Sequence, residues 1–168
     1  MTQNPWQAER TEGPAKSEVD DLERKWASMP EQLKKSELSE GTQAPELRHV
    51  LTRTDLVRYA GASGDFNPMH HDEVKATAAG QPSVFGHGML SMGFLGTAIT
   101  SFVGVGNLAE FSVRFAKQTW PGEELITHVT VTGFRTLDGK DVVDLDVRLT
   151  NADGEEKVLG NASAWIAD

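Results

Sequence analysis

One segment restricts the possible folds more than any other. Residues 88–103 have the length of an α-helix, with apolar side chains on every side instead of along one stripe. Such a helix should be buried over most of its circumference, because each face would otherwise expose apolar surface to water. At about 1.5 Å per residue it is roughly 24 Å long, so the rest of the domain must enclose it. Its larger apolar side chains are Met89, Leu90, Met92, Phe94, Leu95, Ile99, Phe102 and Val103.

The sequence after this helix alternates between apolar and polar residues, as antiparallel strands with one buried face do. Asp138-Gly139 and Asp153-Gly154 interrupt the alternation, and Asp-Gly pairs favour tight hairpin turns. We therefore predict an α+β fold in which a four-strand meander wraps around the long helix. The predicted strands span 108–117, 125–136, 143–150 and 158–166.

The elements before the long helix are shorter. A strand is predicted over 46–51, followed by a helix that begins after Thr52 and meets stop signals at Gly61 and Gly64. A second short helix is predicted over 72–79. The residues between these two helices are mostly turn formers.

Composition and charge exclude several classes of protein. The chain has 168 residues, 38% hydrophobic and 24% charged, which suits one packed domain and not a disordered chain. A formal net charge of −9 argues against nonspecific binding to nucleic acid or to an anionic membrane. The chain has no cysteine, so disulfides, a thiol nucleophile and thiolate metal ligands are excluded.

The absence of cysteine fits a cytoplasmic protein, and the distribution of apolar residues adds neither a secretion signal nor a membrane span. Residues 1–14 lack the basic, apolar and small-residue order of a secretion signal. The longest nearly apolar stretch, 84–105, is interrupted by Gly, Ser, Thr and His. It therefore suits a buried helix better than a membrane span.

The first 41 residues differ from those that follow. They contain 6 Lys and Arg against 9 Asp and Glu. Apolar residues recur at helical spacing over 19–33, although Pro30 interrupts them. We expect an acidic, partly helical extension over 1–41 and a separate domain over 42–168. The extension either stays exposed or docks its apolar stripe on this subunit or on a partner.

The polar residues that structural roles explain least lie over 63–71. Asp65 and His70 are separated by a turn, so their side chains can converge on one point. A carboxylate beside an imidazole can hold a water molecule and exchange protons near neutral pH. Asn67 either fixes that water or bonds its own main chain in an Asx turn. Because Asp-x-Asn-Pro is also an ordinary turn sequence, this segment alone does not establish an active site.

A second candidate feature lies where the long helix begins. Free main-chain N–H groups and the positive end of the helix dipole form a site for an anion or oxyanion there. Gly88 has no Cβ, so a carbonyl oxygen can approach its N–H closely. An acid/base pair together with an oxyanion site suits proton transfer next to a carbonyl group.

These residues resemble a known family. The sequence Tyr-Ala-Gly-Ala-Ser-Gly-Asp-Phe-Asn-Pro-Met-His over 59–70, followed by His-Gly-Met-Leu over 87–90, is similar to the MaoC-like hydratase/dehydratase signature. The resemblance covers roughly residues 46–166 and is especially similar to the (3R)-hydroxyacyl-thioester dehydratase subunits of mycobacterial mycolate elongation. Met69 departs from the pattern, since a branched aliphatic residue is commoner at that position.

The resemblance implies a hot-dog fold, in which a long central helix is wrapped by an antiparallel β-sheet. It also implies addition or removal of water across the 2,3-bond of an acyl thioester carried on coenzyme A or acyl carrier protein, with no metal and no cofactor. Carried onto this chain, Asp65 and His70 are the catalytic pair and the Gly88 N–H polarises the thioester carbonyl. Asn67 and Ser63 are then substrate-positioning residues. The resemblance leaves open which of Asp65 and His70 is the acid and which the base.

The expected partners follow from the same resemblance. The family implies a homodimer, or a heterodimer with another hot-dog chain. Coenzyme A and acyl carrier protein both present negative charge, so either needs local cations on this acidic surface. We predict that Arg114 or Lys117 lies near the carrier phosphate.

Two other functions remain open from the sequence. The chain could be a non-catalytic partner subunit of a heteromeric dehydratase, although silent subunits tend to lose the Asp/His pair. It could be a hot-dog thioesterase, but the central helix, where thioesterases usually carry a carboxylate, contains no Asp or Glu. His71 is expected to point away from His70, and His87 to bond main chain near the helix start. No histidine pair has a spacing that suggests zinc.

Overall fold

The long helix lies across one face of a five-stranded antiparallel sheet, with the predicted bounds of Gly88–Val103. The computed structural model describes residues 32–167. Two 3₁₀ turns cover Lys35–Glu37 and Pro68–His70. The helices are α1 (Arg53–Ser63), α2 (Glu73–Ala78) and α3 (Gly88–Val103). The strands are β1 (Arg48–Val50), β2 (Leu108–Phe115), β3 (Glu124–Leu137), β4 (Lys140–Asn151) and β5 (Glu156–Trp165).

The strand order corrects one prediction. The sheet has the order β1-β3-β4-β5-β2, so the first strand after the helix pairs with the last one. β3, β4 and β5 form a meander through the two predicted Asp-Gly turns. The predicted four-strand meander is wrong because β2 leaves α3 and joins the far edge of the sheet, beside β5.

The core forms where α3 rests on the sheet. Leu95, Ile99 and Val103 are fully buried on one side of the helix, against inward-facing side chains of β3, β4 and β5. The opposite side is not covered: Met89 is 55% exposed, and Gly93 and Thr97 lie exposed at successive turns on that side. The prediction of burial around most of the helix is therefore wrong for the single chain.

The predicted N-terminal extension lies mostly outside the described residues, so the boundary at residue 41 stays a prediction. In the part that the structure describes, Lys35 donates its main-chain N–H to Ala167, and Ala167 donates to Leu33. No helix within residues 32–167 is both long and apolar enough to cross a membrane.

Gly160 lets β2 and β5 approach closely, and its replacement by Ala is expected to destabilise the fold. A Cβ at this position would lie 2.1 Å from the carbonyl oxygen of Ser112 and 2.9 Å from the Cα of Val113. Because both obstacles are main chain, we expect Gly160→Ala to lower the free energy of unfolding by about 1–3 kcal/mol or more. Denaturant unfolding measures this. A Cβ at Gly61 in α1 meets nothing within 4 Å, so Gly61→Ala should instead stabilise by about 0.5–1 kcal/mol. Equal stability of the two variants would contradict the β2–β5 pairing.

Candidate active site

The turn after α1 places Asp65 at the surface. α1 begins at a capping box between Thr52 and Asp55 and ends at Gly64, whose φ of 76° is the left-handed conformation that glycine adopts readily. The Ser63 hydroxyl donates to the carbonyl of Tyr59 at 2.7 Å and accepts from the Asp65 N–H at 3.2 Å. Both hydrogen bonds of Ser63 therefore go to main chain and stabilise this turn. The side chain of Asp65, which follows, is 51% exposed.

Asn67 connects Asp65 to His70. Its side-chain oxygen accepts from the Met69 N–H at 3.1 Å and caps the 3₁₀ turn that carries His70. Its own N–H donates to Oδ1 of Asp65 at 3.2 Å. Of the two sequence alternatives for Asn67, the structure shows the Asx turn.

His70 is buried and its ring orientation is fixed. Nδ1 lies 2.8 Å from the carbonyl oxygen of Phe85, which can only accept, so Nδ1 carries the proton. Nε2, the other ring nitrogen, faces Oδ2 of Asp65 at 3.9 Å. This distance is too long for a direct hydrogen bond, and it suits one oxygen atom that contacts both groups. The structure thus brings together the two side chains predicted as the acid/base pair.

His87 also lies beside this pair, although the sequence analysis expected it to bond main chain near the start of the helix. It precedes α3, is only 1% exposed, and lies 3.1 Å through Nε2 from the main-chain oxygen of Asp65. Its ring stacks on that of His70, with centroids 3.8 Å apart and planes at 28°. His87 bonds main chain, as expected, but at Asp65 in the turn over 63–70 and not near the start of the helix. Because 22 residues separate His87 from Asp65, no local spacing could have indicated this contact.

Burial lowers the pKa of His87, and the nearby His70 and His71 act in the same direction, while the hydrogen bond to Asp65 opposes them. The folded protein therefore holds His87 neutral at pH values where the unfolded chain, with an ordinary value of 6.5, takes up a proton. The free energy of unfolding should fall as the pH drops below about 6.5, since the unfolded state then binds more protons. Denaturant unfolding at about pH 7.5 and about pH 5.5 should show a larger loss for the wild type than for His87→Phe. Equal losses would contradict a buried neutral His87.

The start of α3 supplies the second part of the site. Gly88 is the first residue of α3, so no carbonyl within the helix can accept its N–H. It lines a cavity of about 410 Å³ together with Gly86, Ser91 and the segment 115–119. A Cβ at Gly88 would lie 3.3 Å from the ring of Phe115, and a Cβ at Gly86 only 2.3 Å from Oγ1 of Thr119. Glycine at Gly86 therefore lets Thr119 pack against the main chain, and glycine at Gly88 leaves room for the ring of Phe115.

Of the two predicted carrier-binding cations, one lines this cavity. Lys117 does so, with its Nζ paired to Glu155 at 2.6 Å. Arg114 is exposed on β2, does not line the cavity, and has no ion-pair partner within residues 32–167. The second carboxylate oxygen of Glu155 contacts Lys157, a fully buried cation that the sequence analysis did not single out.

The site also contains atoms of the type that bind metal ions. One ligating atom each from Asp65, His70 and His87 lie within 4.8 Å of one another. The sequence gave no such spacing because His87 is distant in the chain. Nε2 of His87 donates to the main-chain oxygen of Asp65, so among the atoms of the His87 ring only Nδ1 has a lone pair to offer a metal. The same atoms of Asp65 and His70 are placed for proton transfer.

Comparisons with known proteins agree with the fold and with the family resemblance. Residues 35–153 match the family described as MaoC like domain. The chain is 36% identical to 3-hydroxyacyl-thioester dehydratase Y of Mycobacterium tuberculosis, over 62% of this chain and 36% of that protein. It is 32% identical to the (R)-specific enoyl-CoA hydratase of Rhodospirillum rubrum, over 58% of this chain and 68% of that one.

A solved structure gives the same result in three dimensions. The R-hydratase PhaJ1 of Pseudomonas aeruginosa in the unliganded form superposes with a TM-score of 0.69 at 28% identity, over 82% of this chain and 88% of that chain. A helix on an antiparallel sheet, with the Asp/His motif beside it, defines a hot-dog protein, and the predicted α+β hot-dog fold is confirmed. The chain belongs to the MaoC-like family. It spans about a third or less of the length of the first curated relatives it matches.

Proposed function

We propose that the protein is a hydro-lyase that adds water to, or removes it from, the 2,3-bond of an acyl thioester. It would act in the cytoplasm as an (R)-specific enoyl-thioester hydratase or (3R)-hydroxyacyl-thioester dehydratase. The observation that carries this proposal is the 3.9 Å gap between Oδ2 of Asp65 and Nε2 of His70. Two proton-transfer groups at this separation can hold one reacting oxygen, beside a helix start that can stabilise an oxyanion.

The geometry suggests how hydration would proceed. A water molecule between Asp65 and His70 gives one proton to this pair as its oxygen bonds to C3 of the enoyl thioester. Electron density moves onto the thioester oxygen, which accepts a hydrogen bond from the Gly88 N–H. The pair then delivers one proton to C2, so that one water is added and neither Asp65 nor His70 gains or loses a proton overall. Dehydration is the reverse sequence.

The proposed roles of Asn67 and Ser63 follow from their hydrogen bonds. Asn67 holds Oδ1 of Asp65 and caps the turn of His70, which supports a positioning role. Ser63 holds the Asp65 N–H and the end of α1, which makes its action on a substrate indirect. Neither side chain needs to contact the acyl group to affect catalysis.

The proposed substrate is an acyl chain on coenzyme A or acyl carrier protein, and the carrier would enter through the cavity beside Gly88. A carrier phosphate would then compete with Glu155 for Lys117. We expect Lys117→Met to raise KM for an enoyl-CoA about threefold to tenfold with little change in kcat, the size of one exposed charge contact. Steady-state kinetics measure this, with Lys140→Met, which lies over Trp165, as the control. Unchanged KM in both Lys117→Met and Arg114→Met would contradict a phosphate site here.

A second hot-dog chain, identical or not, is the proposed partner. The exposed side of α3 around Met89, Gly93 and Thr97 supports it, because an apolar helix surface of this kind is normally covered. Light scattering on the purified protein should give twice the chain mass, or a complex with another chain of similar size.

The experiment that tests the function uses the purified chain with trans-2-enoyl thioesters of both carriers, at short and long acyl lengths. We expect loss of the enoyl-thioester absorbance without release of free thiol. Thiol release would instead indicate a thioesterase. A non-catalytic partner subunit would give a different result. The purified chain would be inactive on every substrate, and activity would appear only when a hot-dog chain with its own Asp/His pair is added.

A further inference from the structure

His87 contacts both members of the proposed acid/base pair, although it is neither of them. Its Nε2–H donates to the main-chain oxygen of Asp65, and its ring stacks on His70. We propose that His87 is a positioning residue that sets the distance between Asp65 and His70. This inference rests on the proposed function, since it concerns the same site.

The position of Asp65 depends on this contact because little else holds it. The other hydrogen bonds of Asp65 come from Ser63 and Asn67, which belong to the same surface turn. Within residues 32–167, the bond from His87 is the one that reaches Asp65 from outside the segment 63–70. It joins the turn directly to the start of α3, where the Gly88 N–H lies. A shift of about 1 Å in a reacting group can cost about 10²-fold in rate, so this link matters for catalysis.

The position of His70 depends on the same ring from another direction. His70 is held in its plane by the hydrogen bond to Phe85, and a flat ring at 3.8 Å restricts movement out of that plane. The His87 ring is itself packed against Tyr59 of α1, with centroids 4.9 Å apart. A single buried side chain therefore connects α1, the catalytic turn and α3.

The tautomer of His87 fits this role and not that of an acid or base. The carbonyl of Asp65 only accepts, so Nε2 of His87 carries the proton and Nδ1 does not. Nδ1 is buried, and no protein group within residues 32–167 donates to it. An unsatisfied buried acceptor costs about 1–3 kcal/mol, so an apolar ring would fill this position at lower cost. Packing alone therefore does not explain a histidine here.

Three substitutions separate the hydrogen bond from the ring. His87→Gln can place an amide N–H near the position of Nε2, His87→Asn places it too close to the main chain, and His87→Phe keeps a ring without a donor. We expect Phe and Asn to lower kcat for enoyl-thioester hydration by about 10²-fold with KM within about threefold, and Gln to stay within about fivefold of wild type in kcat. His87→Phe should unfold at the wild-type temperature or above. His128→Gln, on β3 away from the site, should leave kcat unchanged.

A second measurement does not depend on activity. Amide hydrogen exchange over 64–67 should be faster in the Phe and Asn variants than in wild type and Gln, because the bond to Asp65 is lost. Equal kcat and equal exchange in Gln, Asn and Phe would overturn the role of His87. If the wild type hydrates no enoyl thioester, the proposed function fails instead, and the exchange rates alone decide whether His87 holds the turn.

Discussion

Asp65→Asn is expected to lower kcat for hydration of an enoyl thioester by about 10²- to 10⁴-fold, the range of a lost general acid or base. The substitution should leave the turn in place. An Asn side-chain oxygen can still accept from the Asn67 N–H, and the main-chain bond to His87 does not involve the side chain. What disappears is the carboxylate oxygen that faces Nε2 of His70. The loss should therefore fall on kcat, with KM nearly unchanged.

The matched control for this substitution is Asp146→Asn. Asp146 is half-exposed on β4 and pairs with Arg148, outside the site. It should retain wild-type kcat. An Asp65→Asn variant within about fivefold of wild type would remove Asp65 from the reaction and, with it, the mechanism proposed above.

The second large effect concerns stability. Lys157 is 1% exposed, and its Nζ pairs with Glu123 at 2.7 Å and also with Glu155. Burial acts to lower the pKa of Lys157, but the bonds and charges of Glu123 and Glu155 outweigh it, and the net pKa is raised. Glu123 also accepts hydrogen bonds from the side chain of Asn151 and from the Trp120 N–H. Through Glu123, Lys157 is therefore linked to the turn after β4 and to the turn before β3.

Lys157→Met is expected to lower the free energy of unfolding by about 3–5 kcal/mol, because it leaves the mostly buried Glu123 without an ion-pair partner within residues 32–167, while Glu155 keeps Lys117. Denaturant unfolding measures this loss. Lys117→Met removes an exposed partner of the same Glu155 and should cost at most about 1 kcal/mol. Equal losses in the two variants would contradict a special role for the buried cation.

Glu155 adds a pH dependence to this network. The hydrogen bond from Lys117, followed by that from Lys157, lowers its pKa to about 2. A carboxyl group with a lowered folded pKa contributes stability above its ordinary value of 4.5, and this contribution is lost as the pH falls toward 2. As the pH falls from 4.5 toward 2, the free energy of unfolding should therefore decrease less in Glu155→Gln than in the wild type.

The periodicity of the sequence predicted the elements well and their arrangement less well. Alternation over 143–150 and the all-round apolar pattern over 88–103 gave β4 and α3 with nearly their observed bounds. The position of β2 beside β5 could not be predicted from these patterns, because pairing between distant strands leaves no local mark. Gly160, where a Cβ would meet the β2 main chain, is one residue whose identity depends on that pairing.

The site shows the same division. The proximity of Asp65 and His70 could be predicted because they lie on one turn, and the position of Gly88 because it opens the helix. The contact of His87 with the turn and, outside the site, the burial of Lys157 could not be predicted, for physical reasons. The contact of His87 with the turn is made in space and not along the chain, and a lysine in a strand is expected to be exposed unless its partners are known. The side of α3 around Met89 is exposed, so one chain buries less of this helix than its apolar pattern predicts.

The most direct test of the central claim is hydration of a trans-2-enoyl-CoA in D₂O by the purified chain, with the product examined for deuterium and configuration. Addition of water by Asp65, His70 and Gly88 predicts an intact thioester that carries one deuterium at C2 and a hydroxyl of R configuration at C3, and no such product with Asp65→Asn. Release of free coenzyme A, or the same product in equal amount from Asp65→Asn, would contradict the account.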